Sequence, residues 1–219
     1  MPTNDFLSPF GSPKYSANAA LKASVATMTA LKALEDGGPA RVHGNEVLVD
    51  ADGSRFYFHS TSTLTGDDVL VVTPSDAPTA GRWLRCAGFV DLALPFSYAT
   101  ADGATLLTIP TGARLQMVSA HWEITADMTG GSSSAIGVDS SVDTTAGDIL
   151  GGASGDVAAA LTAGIRTGTV GAKMDTDTEL HAQILVAGAT LRFQRITSAF
   201  TAGSGYVHVV GFLLRNPGA

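Results

Sequence analysis

Cysteine is almost missing from this chain: Cys86 stands alone among 219 residues, which excludes an internal disulfide and a metal cage built from several thiolates. Cations are scarce too. Thirteen Lys and Arg stand against twenty Asp and Glu, a formal net charge of −7, whereas a phosphate-binding protein draws its affinity from clustered Lys and Arg. The composition therefore speaks against nucleic acid as a partner. Charged residues make up only 15% and aromatics 7%, with two tryptophans, too few for the aromatic-walled cleft of a paired-carboxylate glycosidase. No apolar run reaches membrane-spanning length, and the opening MPTNDFLSPFGSP has no basic segment followed by an apolar stretch. Neither a spanning helix nor a secretory signal is predicted; the expectation is a soluble protein made in a cytoplasm.

What remains is a chain rich in Gly, Ala, Thr and Ser, suited to packed sheets joined by tight turns. The sequence divides into three parts. Residues 1–17 place Phe6, Leu7 and Phe10 among Pro2, Pro9 and Pro13. Prolines forbid a regular helix there, and the apolar side chains have no core of their own, so an extended docking arm is predicted. From Asn18 to Glu35, Leu21, Val25, Met28, Leu31 and Leu34 recur at helical spacing before Gly37-Gly38-Pro39, which predicts one amphipathic helix. Strands are expected at 41–50, 54–60, 69–73 and 82–86, with Asp52-Gly53 as a hairpin turn. Helix and strands together make a small module over 18–88.

Residues 89–219 read as an antiparallel β-sandwich, jelly-roll-like, so the whole is a mainly β protein. Phe89–Pro95 is apolar and strand-like rather than a flexible linker. Further strands are predicted at 104–109, 113–125, 179–187, 189–196 and 206–215. The Gly-, Ser- and Thr-rich stretch 127–170 is too long for a structureless loop and should hold short edge strands. The terminal run YVHVVGFLLR is apolar on both faces. A two-layer sandwich covers one of them, so a neighbouring subunit is expected on the other.

Motifs for chemistry are not found. There is no G-x-S-x-G, no phosphate loop with its Lys, and no H-E-x-x-H. GGSSSAIG at 130–137 and GGASGD at 151–156 read as turns. Asp175-Thr176-Asp177-Thr178-Glu179 alternates carboxylates as a calcium loop does, but Leu180 and Val186 stand where that loop needs Gly and Glu. His43, His59, His121, His181 and His208 show no ligand spacing and read as ordinary polar strand residues. Catalytic, cofactor and metal residues are thus all expected to be none.

One stretch stands out: Gly81-Arg82-Trp83-Leu84-Arg85 follows a proline-rich turn. On a strand, Trp83 and Arg85 share one face and Arg82 and Leu84 the other. Trp and Arg are enriched in interface hot spots, but a Trp also fills the core of a small module, and both readings stand. Arg82, Trp83 and Arg85 join Phe6, Leu7 and Phe10 as candidate partner-binding residues.

The run DGSRFYFHSTSTLTGDDVLVVTPSDAPTAGRWLR, with ATMTALKAL upstream, resembles the N-terminal modules of tail fibres, tailspikes and related virion proteins of tailed bacteriophages. Those modules likewise pass from a T-x-x-x-L-K/R helix to a D-G-x-x-F-x-F/Y hairpin and close on P-x-G-R-W-x-R. NDFLSPF is similar to the N-D-F-L-P-F start of many tail-associated proteins, with Ser8 inserted. The resemblance covers roughly residues 4 to 86. It implies a non-enzymatic structural protein on the virion exterior, a tail-associated fibre or adaptor protein that docks to other virion proteins through its N-terminal part. A capsid decoration or head-fibre protein is the alternative within that class, and a carbohydrate-binding or carbohydrate-active protein the alternative outside it. The resemblance also implies a homo-oligomer, a trimer as in phage fibres and many decoration proteins.

Overall fold

The computed structural model describes residues 23–130, 134–142, 148–152, 154–164, 166–169, 184–196 and 200–215. The chain groups into two compact units, residues 1–63 with 73–84 and residues 64–72 with 85–219. The boundary thus falls a few residues before position 88, and the 64–72 segment belongs with the larger unit.

The first unit is organised by a hairpin. Strands β2 (Glu46–Val49) and β3 (Ser54–His59) pair antiparallel, Val49 opposite Ser54. Asp52 closes the turn by accepting the Ser54 N–H at 2.9 Å and its hydroxyl at 2.7 Å, the local bond that makes Asp a turn former. Val47, Val49, Phe56 and Phe58 alternate inward and are buried. Strand β5 (Arg82–Arg85) lies beside β3 and strand β1 (Ala23–Val25) beside β2, in the order β1-β2-β3-β5; β4 (Val71–Val72) belongs to the 64–72 segment of the larger unit. Arg41 ties the unit's long loop in place. Its guanidinium donates to the Leu34 carbonyl at 3.2 Å and to Asp76 at 2.8 Å, and lies 5.3 Å from the centre of the Phe58 ring.

The helix predicted over 18–35 is found only as α1, Met28–Lys32. Residues 18–22 lie outside the described residues. Ala23–Val25, read as helical, is instead the strand β1, paired parallel with Val47–Val49. Thr27 is the reason the helix starts late: its backbone is extended and its hydroxyl accepts the Ala30 N–H at 3.2 Å, an N-cap. Among the described residues of the apolar stripe only Leu31 is fully buried. Sheet pairing satisfied the backbone upstream of the cap and overrode the helical spacing.

The second unit consists of two antiparallel sheets. One has the order β10-β9-β13-β7, built from β7 (Thr105–Thr108), β9 (Ala135–Ser140), β10 (Asp156–Val157) and β13 (Thr190–Arg195). The other has the order β11-β8-β14-β6, with β12 also pairing β8. Its strands are β6 (Gly88–Ser97), β8 (Arg114–Gly130), β11 (Arg166–Thr167), β12 (Ile184–Val186) and β14 (Phe200–Arg215). The inner faces meet in a core containing Leu92, Leu94, Leu115, Trp122, Val138, Leu191 and Val209, each fully buried. Phe96 of β6 stacks on Phe193 of β13 at 5.4 Å. This is the sandwich read from the alternation; of the short edge strands expected in 127–170, β10 and β11 lie at sheet edges, whereas β9 is internal, between β10 and β13.

Candidate interaction surface

The long sheet of the second unit has one face on the core and one open. Opposed residues of paired strands share a face, so the register places Ile184, Gln116, Phe212 and Phe89 in one row across β12, β8, β14 and β6. Ser119, Val210 and Asp91 make the next row, and His121, His208 and Ala93 the third. On this open face Phe89 is 67% exposed, Phe212 44% and Leu214 45%, and Val118, Ile184, Val186 and Tyr206 are exposed as well. Phe89 and Phe212 meet edge to face at 5.7 Å. Large apolar side chains are thus left in water side by side on neighbouring strands rather than scattered singly.

Beside this apolar end lies a polar cluster. His208 is almost completely buried although it sits on the open face, because its neighbours enclose it. Its Nδ1 is 2.8 Å from Asp91 Oδ1 on β6, its Nε2 is 2.6 Å from Glu123 Oε2 on β8, and its ring stacks on His121 at 4.9 Å, nearly parallel. Each ring nitrogen thus has a carboxylate oxygen beside it, and both polar ends of the imidazole are used within the sheet. Both nitrogens being occupied, the group is not arranged to ligate an ion, and among the described residues no cluster of three or more His, Cys, Asp or Glu is placed to hold a metal.

Close backbone approach shapes this sheet. At Gly211 a Cβ would sit 2.1 Å from the Gln116 carbonyl oxygen, and at Gly205 2.3 Å from that of Glu123. Only glycine lets β14 lie against β8 where their register shifts.

The residues singled out from the sequence fall elsewhere. Phe6, Leu7 and Phe10 lie outside the described residues, as do Asp175 to Glu179 and His181. Trp83 is fully buried, 5.1 Å from the Phe58 ring, so it belongs to the core of the first unit and presents no face to a partner. Arg82 bends back onto the carbonyls of Pro78 and Gly81 at 2.9 and 2.8 Å, and Arg85, itself buried, donates to the Val69 carbonyl at 3.3 Å. Gly81 before them has φ +103°, and a Cβ there would come within 2.9 Å of Phe58, which explains the glycine ahead of the tryptophan. His43 and His59 meet edge on at 4.7 Å in the first unit.

An open cleft of about 580 Å³ in the second unit runs along β7 beside Leu64, Thr65 and Gly66. No aromatic side chain lines it, and its one carboxylate, Asp67, is taken up by the N–H groups of Val69, Leu70 and Val71 at 2.7–2.8 Å. The acid pair facing an aromatic wall that a sugar-cleaving site requires is not formed there.

Sequence reasoning did not single out the Asp91–His208–Glu123 group. Each member alternates with apolar residues on its strand, which signals an outward face, but nothing local says that the three strands are neighbours. No family model, no curated protein and no solved structure matches the chain.

Proposed function

We propose that the chain is a non-enzymatic structural subunit of a tailed-bacteriophage particle, a tail-associated fibre or adaptor protein on the virion exterior. Copies of it associate through the second unit. The observation that carries this reading is the open sheet face: an apolar group built from Phe89, Phe212, Leu214 and Val118, exposed on a well-packed sandwich and flanked by polar side chains already bonded to one another within the subunit. A surface of that kind serves association with another protein surface, and it offers no reacting group.

The first unit supports the virion assignment through its resemblance to phage modules. The D-G-x-x-F-x-F stretch forms the hairpin, with Phe56 and Phe58 inward, and the G-R-W stretch closes the unit's core on Phe58. The conspicuous residues of the resemblance thus work as the packing of a small module. The docking contacts fall to the N-terminal arm, in particular Phe6, Leu7 and Phe10.

Imaging of particles carrying a labelled copy of the chain tests the assignment. Label at the tail supports it. Label over the capsid moves the protein to the decoration class, and absence of label from purified particles overturns the virion role altogether.

A further inference from the structure

The sequence holds three Asp-Gly steps, Asp36-Gly37, Asp52-Gly53 and Asp102-Gly103. Such a step can close on itself. The glycine main-chain nitrogen attacks the Asp Cγ, a C–N bond forms and a C–O bond breaks, giving a five-membered succinimide. One carboxylate oxygen leaves as water with the amide proton and a proton from solvent, which is returned when water reopens the ring. Opening at one carbonyl restores aspartate; opening at the other leaves isoaspartate, with the side-chain CH2 moved into the main chain. The carboxyl group must swing onto the nitrogen, and the nitrogen must give up its proton, so hydrogen bonds that hold either group oppose the reaction.

Two of the three steps are held at both reacting groups. In the hairpin of the first unit, Asp52 accepts the Ser54 N–H and hydroxyl at 2.9 and 2.7 Å, and the Gly53 N–H donates to the Val49 carbonyl at 2.9 Å. In the second unit, Asp102 accepts the Arg195 N–H at 2.9 Å, and the Gly103 N–H donates to the Phe193 carbonyl at 2.9 Å. At each of these steps ring closure must first break bonds that the fold has made.

Asp36-Gly37 differs at both groups. It forms the middle of a turn closed by the Gly38 N–H on the Glu35 carbonyl at 3.2 Å, with Gly37 at φ +72°, the left-handed conformation that such a turn gives to glycine. The Asp36 side chain is 79% exposed, and the Arg41 guanidinium nitrogen beside it stands 3.6 Å away, too far for a hydrogen bond. That guanidinium is already committed to Asp76 and the Leu34 carbonyl. The Gly37 N–H has no main-chain acceptor among the described residues. We propose that Asp36-Gly37 is a site of spontaneous isoaspartate formation in the folded chain, and that the fold shields the other two steps. Conversion attaches the carboxylate directly to Cα and lengthens the Glu35–Gly38 turn by one main-chain atom.

Incubation of the full chain at neutral pH in water enriched in heavy oxygen tests the site, since each reopening of the ring places a solvent oxygen in the residue. Trypsin then separates the three steps, releasing Asp36 within 33–41, Asp52 within 42–55 and Asp102 within 86–114. In the folded chain label should enter Asp36 faster than Asp52 or Asp102 by about tenfold or more, the factor that breaking one or two hydrogen bonds before ring closure imposes. An isoaspartate form of 33–41 should accumulate with it. In guanidinium chloride, with the chain unfolded, the three rates should converge. Asp36→Glu, whose ring would be six-membered and closes far more slowly, should take the label out of 33–41 and leave Asp52 and Asp102 as they were. Equal labelling of Asp52 or Asp102 in the folded chain overturns the proposal. So does an Asp36 that stays unlabelled while the unfolded chain reacts, a preference for Asp36 that persists on unfolding, or label remaining in 33–41 of the Asp36→Glu chain.

Discussion

The indole N–H of Trp122 donates to Asp156 Oδ2 at 2.7 Å, with the Trp fully buried and the Asp nearly so. The same carboxylate accepts the Thr169 N–H at 3.0 Å and its hydroxyl at 2.7 Å. One acid thus fastens segments 34 and more residues away in sequence onto β8, in a part of the chain with few large apolar side chains to hold it. Asp156→Ala should destabilise the second unit by about 1.5–3 kcal/mol, the usual cost of losing hydrogen bonds to a charged group and leaving a buried donor unmade. Chemical denaturation of the variant measures it; Asp156→Asn, which retains an acceptor, should lose less.

Trp83 should behave as a core residue. Trp83→Ala is expected to cost about 3–5 kcal/mol, and Trp83→Phe much less, since a ring still meets Phe58. Because Trp122 lies in the other unit, the fluorescence of Trp83 in a Trp122→Phe background follows the first unit separately. A Trp83→Ala chain of undiminished stability would return this residue to the surface role considered for it.

Gly211→Ala introduces a methyl group where the Gln116 carbonyl already lies 2.1 Å from the position of its Cβ. The two strands must separate, at about 1–3 kcal/mol for overpacking of this kind. Faster amide exchange in β14 and β8 around the substitution, with exchange in the first unit unchanged, is the expected signature.

Deletion of residues 2–13, or Phe6→Ala with Phe10→Ala, should leave the melting temperature of the chain unchanged and abolish its incorporation into particles. Large apolar side chains on a proline-stiffened arm lose less conformational freedom on docking than a flexible tail would, and each contributes about 1.5–3 kcal/mol when fully buried. Melting and particle occupancy measured on the same variant separate the outcomes. Early melting assigns the arm to the subunit's own core, and full incorporation moves docking to another surface.

The sequence by itself determined the hairpin strands of the first unit and the long strands β6, β8 and β14 of the second, with their inward and outward faces, and the Asp52 turn. These depend on neighbours in the chain: side chains alternate with a period of two along a strand, and an Asp bonds to the backbone two residues on. Apolar residues on both faces of YVHVVGFLLR announced a surface in need of cover, and the open face carrying Phe212 and Leu214 is that surface. The fate of Ala23–Val25 was not legible, because helical spacing competed with a strand partner more than twenty residues away. Nor was the meeting of Asp91, His208 and Glu123, or the burial of Trp83 on Phe58. Only the tertiary structure decided those, since strand order and register are set by pairings between distant segments, and a shift of one residue would have turned every one of these side chains to the opposite face.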